Sequence, residues 1–164
     1  MLRTVGGSGM SAMEEFDQSS QGYVTVVTAG QLFGLRLEHV RDVFVPRGLS
    51  KVPLAPPEVA GLLNLRGRIV TAIDLRRRLG LPPREDGAAP IAVGMEQRGE
   101  LYGLIADRAG DVLHLKRSTY EANPVNLDRR WAHVCSGVHR LERDLMVVLD
   151  VEKVLDFNQF GVAV

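Results

Sequence analysis

Two blocks of this sequence occur twice in the same order, and that duplication constrains the chain to one fold written in two copies. Pro57 to Gly80, PEVAGLLNLRGRIVTAIDLRRRLG, returns within Val134 to Leu155, VCSGVHRLERDLMVVLDVEKVL. Gly61 meets Gly137, Leu65 meets Leu141, Asp74 meets Asp150 and Leu79 meets Leu155, with apolar pairs such as Leu62/Val138 and Ala72/Val148 between them. Upstream, GQLFGLRLEHVRDVF at Gly30 to Phe44 lies over GELYGLIADRAGDVL at Gly99 to Leu113. The repeated unit reads as strand, turn, strand and capped helical turn. Val59 to Leu65 is mostly apolar, Arg66-Gly67 interrupts it, and Ile69 to Leu75 resumes with β-branched residues that suit a pleated surface. Asp74 is placed to cap a short helix, Leu75 and Leu79 share one of its faces, and Gly80 stops it.

A repeat of about 70 residues is near the lower limit for independent stability, so the copies are expected to share a core. The expected architecture is mostly β: two pseudo-repeated five-stranded SH3-like barrels with short helical turns. The Pro/Gly-rich stretch LPPREDGAAP sets the boundary. This divides the chain into an N-terminal tail (1–20), a core domain (21–156) and a C-terminal tail (157–164). Within the core, barrel 1 is expected at about 23–80, a linker at about 81–90 and barrel 2 at about 91–156. Ser118 to His133 departs most from its counterpart and reads as a long, partly helical connection.

The residues hold little chemistry. Twenty basic residues balance twenty acidic ones, which argues against nucleic acid as the main partner. Cys135 is the single cysteine, which fits a reducing compartment. No apolar run approaches the length needed to cross a bilayer, so no direct membrane insertion is expected, and the start lacks the apolar core of a signal peptide. A cytoplasmic protein is the default. His133, Cys135 and His139 have a spacing that suggests zinc, but on one strand the histidines would stand about 20 Å apart. No metal or cofactor is expected. Asp107 and Asp111 read as solvated turn residues, no nucleophile stands in a catalytic motif, and an enzyme is not expected.

What remains is surface. Arg76 to Arg78 read as a solvated helical face. Arg66 sits at a hairpin tip, where a guanidinium suits a partner carboxylate as well as a bracing salt bridge with Glu58 or Asp42. Its counterpart in the second copy is Glu142, so the two tips differ in charge.

FGLRLEHVRDVF, PPEVAGLLNLRGRIVTAIDLRRRLG, LYGLIADRAGDVL and LMVVLDVEKVL, in this order, resemble the CheW family of chemotaxis coupling proteins from about Tyr23 to Leu155. The NLRG turn followed by an apolar strand ending in Asp-Leu is a specific family mark. The resemblance implies paired SH3-like barrels and a non-enzymatic adaptor. Such an adaptor links the helical tips of chemoreceptors to the regulatory domain of a CheA-type histidine kinase, in the cytoplasm at receptor arrays on the inner membrane. Carried over by motif, the partner-binding candidates are Val40, Asp42, Gly61, Arg66, Gly67, Ile91 and Val112, with the division between receptor and kinase left open. Thr71, where the family usually has proline, and Ala109, where a larger aliphatic is common, leave room for an adaptor of a gliding or pilus-motility array. A nucleic-acid module using Arg66 to Arg78 is the remaining alternative.

Overall fold

The computed structural model describes residues 19–156, so the expected tails at 1–20 and 157–164 lie outside the described residues apart from Ser19 and Ser20. Eleven strands are found among the described residues, with short helices between them. The first half carries β1 (Ser20–Thr28), β2 (Gln31–Arg36), β3 (Val40–Phe44), β4 (Val59–Leu65), β5 (Arg68–Asp74) and the helical turn α1 (Leu75–Arg78). The second carries β6 (Ile91–Gln97), β7 (Glu100–Ala106), β8 (Arg108–Lys116), β9 (Tyr120–Ala122), α2 (Arg129–Val134), β10 (Cys135–Arg140), β11 (Leu145–Leu149) and α3 (Val151–Val154). Single 3-10 turns at Leu37–His39 and Arg117–Thr119 follow β2 and β8.

Local chemistry explains these elements. Ala29-Gly30, Arg66-Gly67 and Arg98-Gly99 all have positive φ at both positions, and each joins two strands as a two-residue turn whose twist matches its flanks. Asp74 accepts from Arg76 N at 2.9 Å and Asp150 from Lys153 N at 3.3 Å, so both copies start their helical turn on the same capping aspartate.

Six strands form one sheet in the order β8-β1-β2-β11-β10-β9, and five form the other in the order β3-β6-β7-β5-β4. The mostly β, two-module expectation therefore holds, but the boundary expected at 81–90 does not separate the sheets. The hairpin β1-β2 completes the sheet of the second copy, pairing with β8 and, in parallel, with β11. The hairpin β6-β7 completes the sheet of the first copy in the same way, through β3 and β5. The copies have exchanged their leading hairpins. Parallel pairing needs a long crossover connection, which each exchanged hairpin has.

The shared core follows from the exchange. Val26, Phe33 and Leu35 of the six-stranded sheet pack in one cluster with Ile73, Val93, Met95 and Leu104 of the five-stranded sheet. Leu75 and Leu79 after β5, and Val151, Val154 and Leu155 after β11, enter the same cluster.

Candidate partner-binding site

Asp42 on β3 and Arg66 in the turn between β4 and β5, with a proline-rich loop between them in the chain, come together at the five-stranded sheet. Asp42 on β3 lies opposite Gly94 of β6, and a Cβ on Gly94 would collide with the Asp42 carboxylate. The missing side chain leaves that carboxylate its place. Arg66 occupies the tip of the β4-β5 hairpin, and its Nη1 donates to Asp42 Oδ2 at 3.1 Å. Its side chain is nevertheless 74% exposed, so the bond orients the guanidinium without removing it from solvent. Gly67 follows in the turn and donates its N–H to Asn64 Oδ1 at 2.8 Å. Of the two roles open to Arg66 in the sequence, the salt bridge to Asp42 is present, and the exposed remainder of the fork is left facing water.

The other candidates fall in three settings. Val40 and Ile91 are half-buried at the first positions of β3 and β6 and pack against the shared core. Gly61 is buried at a bulge in β4 with φ 153°, where a Cβ would stand 2.5 Å from Ser50 O. It holds the backbone of the 45–58 loop against the strand, through the paired bonds Ser50 N to Leu62 O and Leu62 N to Ser50 O, both 2.8 Å. Val112 is 55% exposed, but on the edge strand β8 of the other sheet.

Sequence reasoning missed the exposed apolar residues on the sheet that carries Asp42 and Arg66. Val43 and Val45 flank Phe44 on the outward side of the edge strand, Leu49, Val52 and Leu54 lie in the following loop, and Ile69 is 61% exposed on β5. Large apolar side chains gathered on one sheet and its edge mark an interaction surface. The alternation Val43-Phe44-Val45, with Phe44 turned to a small core of Leu63, Val70, Ala72, Ala92 and Ile105, was the available signal.

Several bland readings need correction. Arg76 to Arg78 do not form one solvated face: Arg76 pairs with Asp107 at 2.7 Å, and Arg78 is buried with Nε and Nη2 donating to the carbonyls of Val154, Lys153 and Asp156. Successive helical residues point about 100° apart, so consecutive arginines cannot share one side of a single turn. Asp107 is not a solvated turn residue either. The Arg76 hydrogen bond, helped by Ala29 N–H and Arg84, lowers the pKa of its carboxyl to about 2. Cys135 is buried and its thiol is pushed up to about 12, which leaves no thiolate for chemistry near neutral pH. His139 is buried beside Tyr23 and Thr119, while His133 is exposed on α2. Among the described residues no three His, Cys, Asp or Glu side chains gather as a metal site, and no helix is long and apolar enough to cross a membrane.

Two sheets locked by exchanged hairpins, one of them carrying exposed apolar side chains and, on the opposite side of its edge strand, a charge-braced hairpin tip, define a β-rich interaction module. The comparison with known proteins gives its family. The CheW-like domain model matches residues 22–159, and the chain belongs to that family. It is 25% identical to the chemotaxis protein CheW of Bacillus subtilis over 139 residues, covering 85% of this chain and 89% of that protein. It is 23% identical to the probable chemotaxis protein CheW of Rhizobium etli over 144 residues, with coverage of 86% and 91%. Among solved structures, the scaffolding protein TtCheW from Thermoanaerobacter tengcongensis superposes with a TM-score of 0.75 at 24% identity, covering 84% of this chain and 94% of that one. The protein is a non-enzymatic adaptor of chemotaxis signalling.

Proposed function

We propose that this adaptor couples the helical cytoplasmic tip of a chemoreceptor to the regulatory domain of a CheA-type histidine kinase, working in the cytoplasm at receptor arrays on the inner membrane. The observation that carries the reading is the Arg66 guanidinium, fixed by Asp42 on a side chain 74% exposed, on a sheet that also exposes Val43, Val45 and Ile69. An amphipathic helix or a second β module seated along the edge strand β3, whose alternation turns Asp42 and Val43 to opposite sides, can reach both the apolar side chains and the free side of the fork. In this reading Asp42, Arg66, Gly67 and Val112 offer contact groups, while Val40, Gly61 and Ile91 shape the backbone beneath them.

Arg66→Glu tests it. The substitution sets a second carboxylate beside Asp42 in place of an exposed ion pair, so the fold should lose no more than about 1 kcal/mol. Co-sedimentation with receptor-tip assemblies and with the kinase regulatory domain should fall by about tenfold for at least one of the two, because a carboxylate then faces a carboxylate. Undiminished binding to both would place the interface elsewhere.

A further inference from the structure

Leu54 stands where the backbone favours glycine. Val52 to Ala55 make a tight turn, in which Ala55 N donates to Val52 O at 3.3 Å and Pro53 fixes φ at the first central position. The second central position is Leu54, at φ 65°. In that left-handed region a Cβ crowds the following carbonyl, and only glycine is free of the strain. The other non-glycine residues with positive φ among the described residues, Ala29, Arg66 and Arg98, each open a hairpin turn whose paired strands hold them there. No hairpin holds Leu54.

The leucine also gives nothing back to its own fold. Its side chain is fully exposed and enters none of the three apolar clusters. Its support, however, is stiff. Ser50 is bridged to Leu62 on β4, Val59 N donates to Pro56 O at 2.9 Å, and Arg77 Nη1 donates to Pro57 O at 3.2 Å. Four prolines, Pro46, Pro53, Pro56 and Pro57, restrict the same loop further. Leu49 and Val52 add exposed apolar surface near it in the chain. The charged residues from Val45 to Pro57 are Arg47 and Lys51, both exposed and both basic. A strained turn on a rigid loop that holds a large apolar side chain in water serves something outside the fold.

We propose that Leu54 is an anchor that enters an apolar pocket, rimmed by carboxylates, on the regulatory domain of the kinase. The proposal rests on the adaptor reading above and adds to it a contact that the hairpin tip does not supply. Shape selects the kinase over the receptor. A side chain standing out from a turn needs a concave seat, which a globular domain offers, whereas a helical tip is itself convex and enters grooves. Charge sets the rim, because Arg47 and Lys51 travel with the leucine and no acid of the loop offsets them. Rigidity keeps the ordering cost of docking small.

The test pairs urea unfolding of the intact protein with its affinity for the kinase regulatory domain. Leu54→Gly removes strain and anchor together, so the urea midpoint should rise while affinity falls about tenfold. Leu54→Ala removes the anchor but keeps a Cβ at positive φ, so affinity should fall as far with no rise in midpoint. Leu54→Met keeps the volume and should bind within about twofold of the parent. Co-sedimentation with receptor tips should be the same for all three. The proposal is overturned if both truncations bind the regulatory domain as the parent does, or if they lose receptor tips or self-association instead. A lower midpoint in Leu54→Gly would also overturn it, since the leucine would then be serving its own fold. A parent protein that binds no regulatory domain ends the adaptor reading as well, whereas binding that survives the loss of Leu54 ends this proposal alone.

Discussion

His139 is a polar side chain in a place that the other copy keeps apolar. Its twin position is Leu63, and that of its partner Tyr23 is Ala92; both sit in the small core of the five-stranded sheet. The ring is buried, with Nε2 3.0 Å from Tyr23 Oη and Nδ1 3.0 Å from Thr119 Oγ1. Thr119 donates its one hydroxyl proton to Lys116 O at 2.8 Å, so Nδ1–H donates to Thr119, and in the neutral ring Nε2 accepts from the Tyr23 hydroxyl. Burial holds the imidazole pKa below 6.5, against a weaker opposite pull from Glu121 on β9, and Tyr120 contributes only an edge-on ring. A depressed histidine takes its proton first in the unfolded chain, so the stability it contributes is full above about pH 6.5 and declines as pH falls below it. Denaturant midpoints should accordingly drop as pH falls below about 6.5. His139→Leu alone should cost about 1–3 kcal/mol by stranding the Tyr23 hydroxyl. Tyr23→Phe/His139→Leu should recover part of that and flatten the pH profile in this window; a profile that stays steep would assign the slope to another group. The burial of His139 was legible only through the copies, since a histidine in a strand says nothing by itself but a leucine at the twin position marks the site as core.

Asp107 ties the linker, α1 and the β1-β2 turn into one element. It receives Arg76 Nε and Nη2 at 2.9 and 2.7 Å and Ala29 N at 2.9 Å, and stands beside Arg84. Exposure decides its worth. The charged groups of this cluster are 12–24% exposed, whereas Arg140 and Glu121, 3.1 Å apart, are 65% and 46% exposed. Water screens the second pair, and the first must keep its partners. Asp107→Asn is therefore expected to cost about 2–3 kcal/mol and Arg140→Ala less than about 0.5 kcal/mol, read from urea midpoints. Equal losses would mean that burial is not what gives the cluster its strength. The stability that Asp107 contributes is present above its unfolded value of 3.8 and lost as pH falls toward about 2, a decline that starts well below the pH at which that of His139 starts. The turns and caps of these elements were legible, because Arg66-Gly67 and Asp74 follow local rules. The ion pairs were not, since Arg76 and Asp107 belong to different copies and nothing local relates them.

At the scale of the molecule, the duplication announced two modules but not which pieces compose each. A leading hairpin shows the same alternation whether it pairs with its own copy or with the twin. The burial of Val26, Phe33 and Leu35, or of Val93, Met95 and Leu104, is identical in kind either way. The choice is made by the chain that connects hairpin to sheet, which carries no period. The exchange has a consequence that a beads-on-a-string arrangement lacks. A break after Gly87 would leave residues 1–87 with the hairpin β1-β2 and the three strands β3, β4 and β5, which belong to different sheets. Neither half can close a sheet alone, and each would expose core side chains whose burial contributes about 1.5–3 kcal/mol apiece. Set against ordering entropy of about 1–2 kcal/mol per residue, that deficit leaves no margin for an isolated half. Fragments 1–87 and 88–164 should therefore be unfolded or loosely collapsed separately, with no dispersed amide spectrum, and should form a single 1:1 native-like complex on mixing. Cooperative folding of either fragment by itself would mean that a half can retain its own hairpin, and that the exchange is a choice of packing rather than a requirement for a closed core.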